Sequence, residues 1–238
     1  DFRKETSSAF ELGTRWRALD GRLNLSAAAY HTRIDDLQFF EFYNGSFGIL
    51  RVVSNVDRVD ITGVEIGASL ALGEYWQVFG SADYNDSEIK KNSARPGTEG
   101  GKSPYTSDYT VNLGASVDVP IAGAWRFQGR VDMRRVGPTW FSTAQRGTRP
   151  TIFNAILPLA GLPAFLGNAD YTNSQRDAFD VVNLRLAVQG ERLGVAAFAN
   201  NLFEEEYLAE VIPAPEFGGS FVAPGERRAY GLEVSYRF

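Results

Sequence analysis

Apolar and polar residues alternate with a period of two along much of the chain, and the 3.6-residue period of an amphipathic helix is weak throughout. The clearest run is "YTVNLGASVDV", residues 109–119. Tyr109, Val111, Leu113, Ala115, Val117 and Val119 fall on one face of a strand, and Thr110, Asn112, Gly114, Ser116 and Asp118 fall on the other. "WRFQGRVDMRR" repeats the scheme, with Phe127, Val131 and Met133 opposed to Arg126, Gln128, Arg130, Asp132 and Arg134. A face this rich in charge suits a water-filled lumen. The pattern predicts nine strands, at 8–19, 22–42, 58–72, 75–86, 106–119, 124–136, 178–189, 192–201 and 227–238. The second is overlong for a single membrane crossing and is expected to continue beyond a bilayer, and an earlier start near Ile49 is open for the third.

The connections sharpen this picture. Strands one and two meet at "LDGR", where Asp20-Gly21 signals a tight hairpin. Strands three and four meet around "LGEY", five and six around "PIAG", seven and eight around "QGER". The connections between these pairs are long: 43–57, 87–105, 137–177 and 202–226. Strict alternation of short and long connections is the asymmetry of an outer-membrane barrel, with tight periplasmic turns and long extracellular loops. Trp16, Trp76, Tyr84, Tyr109, Trp125, Trp140, Tyr230 and Tyr236 sit toward strand ends, where interfacial girdles place aromatic rings. The expected fold is therefore all-β, an antiparallel transmembrane β-barrel segment of about nine strands. Nine is odd, whereas bacterial single-chain barrels have even strand numbers, and an open sheet in lipid leaves unsatisfied backbone at its edges. The first residue is Asp1, with no Met and no signal-peptide pattern, so the natural N-terminus is expected to be missing. Residues 1–238 then read as part of a larger barrel.

Composition changes the picture in a few places only. Mean hydropathy is slightly negative at −0.22, yet aromatic content is 13%, as expected where only alternate residues meet lipid. A soluble β-sandwich has the same composition. The net charge of −5 argues against a nucleic-acid partner. The absence of cysteine excludes disulfides, thiol catalysis and thiolate metal sites, and His31 as the single histidine leaves no histidine-based metal cluster. No catalytic residue, metal site or cofactor is expected.

Four stretches invite a chemical reading. Gly101-Lys102-Ser103 ends like a phosphate loop, but Pro96 stands where that motif needs glycine, and a strand follows where it needs a helix. Glu204, Glu205, Glu206, Glu210 and Glu216 form an acidic cluster without the spacing of a calcium loop and read as a solvated loop. His31 reads as structural. The longest connection, 137–177, has an apolar centre from Ile152 to Leu166, unusual for a loop washed by solvent, and is expected to form a short helix or hairpin over the pore or part of a substrate pocket. Trp140, Phe141, Phe153, Phe165 and Tyr171 are candidate aromatic contacts for a ligand ring, and Arg146, Arg149 and Arg176 would suit an anionic one. Self-packing of a long loop explains the same aromatic residues without a ligand.

"NLFEEEY" (Asn201 to Tyr207) followed by "PGERRAYGLEVSYRF" (Pro224 to Phe238) resembles the C-terminal end of TonB-dependent outer-membrane receptors. "VDITGVEIGASLAL" (59–72), with Gly63 and Glu65, resembles a recurring strand of that family, and "ETSSAFELGTRWRALDGRLNLSAAAY" (5–30) resembles its paired strands across a tight turn. The resemblance implies a bacterial outer-membrane location and the last nine strands of a plugged barrel of roughly 22 strands. It implies as partners the membrane lipid, a plug domain and earlier strands outside this chain, and the TonB complex reached through that N-terminal part. It further implies that Tyr236 and Phe238 belong to a terminal signal read by the outer-membrane assembly machinery, although Glu233 stands where such signals often carry a small residue. The intact protein would import a scarce solute (ferric siderophore, haem, corrinoid or oligosaccharide) with energy supplied through TonB. Two alternatives remain open: a passive porin-like barrel, and a soluble carbohydrate-binding sandwich or a glycosidase built on one.

Overall fold

The computed structural model describes residues 2–45, 48–163, 167–214, 217 and 219–238, with the side chains of 41–51, 149, 150, 152 and 155 outside that description. Nine strands form one sheet: β1 (Thr6–Ala18), β2 (Leu23–Gly45), β3 (Gly48–Leu72), β4 (Trp76–Lys91), β5 (Tyr109–Ala122), β6 (Trp125–Val136), β7 (Phe179–Gln189), β8 (Leu193–Asn200) and β9 (Ala229–Tyr236). Every strand pairs antiparallel with its neighbours in sequence, so the sheet order is the chain order. No second sheet packs face to face on it among the described residues, which removes the sandwich alternative.

Register carries one face through all nine strands. Trp16 lies opposite Leu25, Leu25 opposite Ala68, Ala68 opposite Gly80, Gly80 opposite Leu113 and Leu113 opposite Met133. That outward face is exposed and apolar, with Leu12, Val64, Ile66, Leu72, Val131, Leu186, Val195, Leu232 and Val234 all uncovered. Its edges are aromatic. Trp16, Trp76, Trp125 and Tyr236 mark the end with the tight turns, and Phe10, Tyr84, Tyr109 and Tyr230 the end with the loops. Eight residues separate Tyr84 from Trp76 along β4. At roughly 3.3 Å per residue and a tilt near 40°, that spans about 20 Å, somewhat less than the roughly 25 Å usual for a lipid-facing band. Trp140, expected in this girdle, instead belongs to a short loop ladder off the sheet.

The opposite face is polar and crosslinked between strands. Between strands Arg126 pairs with Asp118 at 2.7 Å and Arg185 with Glu233 at 2.7 Å, and within β6 Arg130 pairs with Asp132 at 3.1 Å. Arg130 also covers the Phe79 ring, 4.6 Å from its centroid, and that ring lies against the missing side chain of Gly114. Tyr30 donates to Asp83 at 3.2 Å and lies across Gly63, where an added Cβ would also come within 2.7 Å of the Tyr84 carbonyl oxygen. These glycines let rings lie flat on the wall.

The loops depart from expectation where strand-forming residues continue past the predicted ends. Residues 43–57, expected as a loop, are mostly ladder, with pairing from Leu37↔Val56 to Gly45↔Gly48. Their run of aromatic and β-branched residues favours extended backbone, and the register is the same on either side of Asp36, at φ 58°, where the pairing is interrupted. β4 runs on to Lys91, and β5 begins at Tyr109 and passes Pro120 to Ala122 through a bulge. The last long connection holds a ladder of Leu208–Ala214 against Gly219–Pro224. In the longest one, a ladder of Thr148–Pro150 against Asn168–Asp170 carries a one-turn helix, Ile152–Ile156, and a 3₁₀ turn, Leu157–Ala160. Helix and hairpin, offered as alternatives by the sequence, both occur. The enclosed apolar core is small: Val56, Val59 and Ile89, with Ile34, Leu37, Phe39 and Ile61, at the loop end of β2–β4.

Candidate functional site at the loop end

Three loops rise from the loop end of the sheet, after β4, β6 and β8, and side chains tie them into one crown. The first folds back onto its own strand: Ile89 donates to the Gly101 carbonyl at 2.8 Å, Gly100 to the Ile89 carbonyl at 2.9 Å, and Ser103 to the Ser87 hydroxyl at 3.1 Å. Lys102 closes this loop with its ammonium on Asp86 at 2.7 Å and Asp108 at 3.5 Å. Burial alone would lower its pKa, and the two carboxylates outweigh that and raise it. Gly101-Lys102-Ser103 is therefore a folded-back loop with its cation already neutralised.

Gln145 joins the second loop to the first. Its carbonyl accepts from the Lys102 amide at 2.8 Å and its amide donates to the Lys102 carbonyl at 2.7 Å. Beside it, the Tyr105 amide donates to the Trp140 carbonyl at 2.7 Å, and the hydroxyls of Ser107 and Thr139 meet at 2.8 Å. The Tyr105 ring packs edge-on against Phe141 at 5.1 Å, and its hydroxyl donates to Glu210 in the third loop at 3.1 Å.

Arg176 is the hub. It donates to the Thr139 hydroxyl at 2.7 Å and to the Leu208 carbonyl at 3.1 Å, so one guanidinium holds two loops. Its planar head lies 4.8 Å from the Phe179 ring and 5.6 Å from that of Phe141, a geometry in which ring faces attract the cation. Burial pushes its pKa down, nearby Tyr207 opposes that, and Arg134 reinforces it; no carboxylate forms an ion pair with it among the described residues. Phe179 in turn stacks on Tyr207, with centroids 3.9 Å apart and planes 4° from parallel.

Below the hub lies a cavity of about 390 Å³, walled by Gln175–Phe179, Glu204–Leu208 and Pro224–Arg227. Asn201 holds its floor. This Asn, at φ 48° and 2% exposed, donates from Nδ2 to the carbonyls of Glu205 and Glu226, both at 2.9 Å. Its side-chain oxygen accepts from the Glu205 amide at 2.8 Å, and its own amide donates to Asn183 at 3.1 Å. The left-handed conformation that Asn tolerates thus pins the end of β8 to the start of β9. Charged groups on the cavity rim are partly paired: Glu204 with Arg228 at 2.8 Å and Glu206 with Arg227 at 3.4 Å.

Of the eight sequence-selected ligand contacts, Arg176 alone lines this cavity among the described residues. Trp140, half-buried, pairs with Gln175 and accepts the Tyr105 amide on its carbonyl, and Phe141, 2% exposed, is packed against Arg176 and Tyr105. Tyr171 is 6% exposed under the outer ladder, Arg146 is exposed, and Phe153 is 45% exposed on the one-turn helix. Arg149 lies in the ladder opposite Ala169 with its side chain outside the described residues, as are Phe165 and Glu216. Arg176, read from sequence as a possible anion partner, emerges as the centre of the crown. Phe179 is not marked by the sequence reading, and Tyr207 enters it only as the end of the family-like "NLFEEEY". Strand parity could have found Phe179, an aromatic ring on the polar face of β7.

A family model for the TonB dependent receptor-like β-barrel matches residues 1–202. The catecholate siderophore receptor Fiu of Escherichia coli K12 is 24% identical over all of this chain, which covers 26% of it. The pesticin receptor of Yersinia enterocolitica is 30% identical over 65% of this chain and 22% of its own length. Among solved structures, the ferric yersiniabactin uptake receptor FyuA of Yersinia pestis superposes over the whole chain with a TM-score of 0.73 at 19% identity, with 30% of FyuA covered. The closed form of Fiu does so with a TM-score of 0.66. The chain spans about a quarter to a third of these relatives. Nine antiparallel strands with a girdled apolar face, a charged inner face and a clasped crown on one end are a segment of an outer-membrane barrel wall, and the chain belongs to the TonB-dependent receptor β-barrel family.

Proposed function

We propose that residues 1–238 are the C-terminal portion of the barrel of a siderophore-uptake receptor, working with a plug and earlier strands outside this chain and drawing energy through TonB. The observation that carries this reading is the crown, in which three loops clasp one another through Arg176, Gln145 and Tyr105 above a cavity that opens beside the polar face. The names of the relatives support it, since Fiu is a catecholate siderophore receptor and FyuA a ferric yersiniabactin uptake receptor. In this reading Trp140, Phe141, Arg146, Arg149, Phe153 and Tyr171 form the solute-facing set. Phe141 and Tyr171 become accessible when the crown opens. Tyr236 and Phe238, stacked edge-on at 5.3 Å on the outward face of the last strand, present the assembly signal.

The test is uptake of labelled ferric chelates by receptor-null cells that carry the intact receptor. Uptake that depends on the receptor and collapses with a protonophore is expected. Uptake that persists without the proton gradient would establish a passive pore instead, and absence of uptake for every ferric chelate offered would remove iron as the cargo.

A further inference from the structure

Asn85 stands where the first loop joins the wall. β5 begins to pair with β4 at Tyr84↔Tyr109, and Asn85 holds the chain as it arrives there. Its main-chain N–H donates to the Asp108 carbonyl at 3.0 Å and its Nδ2 to the Ser107 carbonyl at 2.8 Å. Asp83, two residues along on the same polar face, accepts from Nδ2 at 3.3 Å on one carboxylate oxygen. The other oxygen of Asp83 accepts from the Tyr30 hydroxyl at 3.2 Å. The Tyr30 ring fills the place of the missing Gly63 side chain, and Gly63 is the cross-strand partner of Asn85.

Beyond Asn85 the same line continues into the crown. The Ser107 hydroxyl meets that of Thr139 at 2.8 Å, and the Thr139 hydroxyl accepts from Arg176 at 2.7 Å. Arg176, Thr139, Ser107, Asn85, Asp83 and Tyr30 therefore form one unbroken polar line from the hub of the loops to the lumen wall. Its middle member has a second arrangement within reach. Asn85 is 7% exposed, its Nδ2 serves two acceptors, and its side-chain oxygen is buried with no hydrogen-bond partner among the described residues. A buried amide oxygen without a donor is costly, so this orientation holds only while both acceptors stay in place. The shorter bond runs to Ser107, which belongs to the loop, and the longer to Asp83, which belongs to the wall. Withdrawal of Ser107 leaves the amide held by its weaker bond alone. A half-turn then presents the amide oxygen to the Asp83 carboxylate, acceptor against acceptor, and drives that carboxylate off Tyr30.

We propose that Asn85 is a positioning residue whose amide couples the state of the crown to Tyr30 on the lumen wall. With the crown clasped, the Tyr30 ring lies in the Gly63 slot; with Ser107 withdrawn, the ring swings into the lumen. A hydrogen-bonded line with two discrete arrangements is what transmission between separated sites requires. The inference rests on opening of the crown and on no property of the transported solute.

The experiment uses the intact receptor in detergent, with 3-fluorotyrosine placed at position 30 alone and its fluorine resonance read without any chelate or proton gradient. Wild type should give one resonance. Thr139→Val, which touches neither Asn85 nor Tyr30, should add a second resonance carrying about a tenth of the intensity or more, while amide exchange at 139–141 rises. Ser107→Ala cuts the same link from its other side and should do likewise. Asn85→Ala should populate the second resonance by itself, and adding Thr139→Val to it should change nothing further. Folding is checked by heat-modifiable migration, and Asn85→Ser replaces Asn85→Ala if the latter does not fold. If Thr139→Val leaves exchange at 139–141 unchanged, Arg176→Met/Thr139→Val is the deciding variant, because it removes both ties on that segment. An unmoved Tyr30 resonance in a variant whose crown exchanges faster would overturn the proposal, as would additive effects of Asn85→Ala and Thr139→Val. Either result leaves the uptake reading standing, and a failed uptake assay leaves the Tyr30 signal to be judged by itself.

Discussion

The wall and the crown are built by different physics. Along the wall, one choice repeated every second residue decides everything: apolar outward, polar inward, with neighbours set by register. Few individual side chains matter there, because many small equivalent contacts share the work. In the crown no such repetition exists. A handful of groups, Arg176, Gln145, Asn201 and Tyr105, each make two or more contacts that nothing else replaces. Substitutions should therefore be absorbed by the wall and felt in the crown, except where the wall also depends on one atom.

Gly63 is such an exception and should give the largest effect. An alanine there would meet the Tyr30 ring and, at 2.7 Å, the Tyr84 carbonyl oxygen, which is backbone and cannot step aside. Overpacking of this kind costs about 3 kcal/mol. Gly63→Ala should lower the yield of folded intact receptor in the outer membrane, measured by heat-modifiable migration on gels, and adding Tyr30→Ala should recover part of it. Wild-type yield for Gly63→Ala would mean the wall bends around the added carbon and the contrast with the crown is too sharp.

Asn201→Ala follows. It removes the three side-chain hydrogen bonds of a buried group at positive φ, leaves the carbonyls of Glu205 and Glu226 without that donor and the Glu205 amide without that acceptor, and keeps the backbone bond to Asn183. A loss of about 2–3 kcal/mol is expected, since unsatisfied buried groups cost more than the bonds they lose. Hydrogen exchange should accelerate at residues 201–207 and 225–228 and leave β4–β6 unchanged. Acceleration spread evenly over the sheet would place Asn201 in the wall rather than the crown.

The same contrast explains what the sequence made legible. Period two needs no tertiary information, so all nine strands could be read from it, and with them the alternation of short and long connections except between β2 and β3, which pair from Leu23↔Leu70 up to Gly45↔Gly48. The strand ends could not. Nothing in Gly45 and Gly48 shows from sequence that β2 and β3 continue to pair up to them, because aromatic runs such as "FFEFY" fit a loop lid or a ladder equally well. In the crown, Phe141 and Tyr171 were chosen for their rings, and the rings turned out to be packed inside the loops. Whether a loop aromatic faces ligand or neighbour depends on contacts from loops tens of residues away, such as Tyr105 on Phe141. The "NLF" triplet was read as a family mark, and its Asn has a local physical reason that only the folded turn reveals.

Arg176→Met tests the hub with its apolar stem retained. Two hydrogen bonds and the contact with the Phe179 and Phe141 rings disappear, and about 1–2 kcal/mol of crown stability should go with them. The thermal midpoint of the barrel should stay in place while exchange at 139–141 and 207–209 rises. A lowered midpoint for the whole barrel would show that crown and wall unfold as one unit.

The smallest effect separates the crown's fastening from its packing. Tyr105→Phe deletes one hydroxyl, the donor to Glu210 at 3.1 Å, and keeps the ring against Phe141. The pair is exposed, so the loss should be about 0.5–1 kcal/mol, too little to move any unfolding midpoint. It is nevertheless a direct tie between the first and third loops, so the ladder of Leu208–Ala214 and Gly219–Pro224 should open more often. A spin label at Ser220 would report this as increased mobility, with Glu210→Gln intermediate because a side-chain oxygen remains to accept. Tyr105→Phe combined with Glu210→Gln should match Tyr105→Phe alone, since the second change removes nothing further. An additive double mutant would mean that each residue holds the ladder through a different partner, and that the crown is a looser network than its shortest contacts suggest.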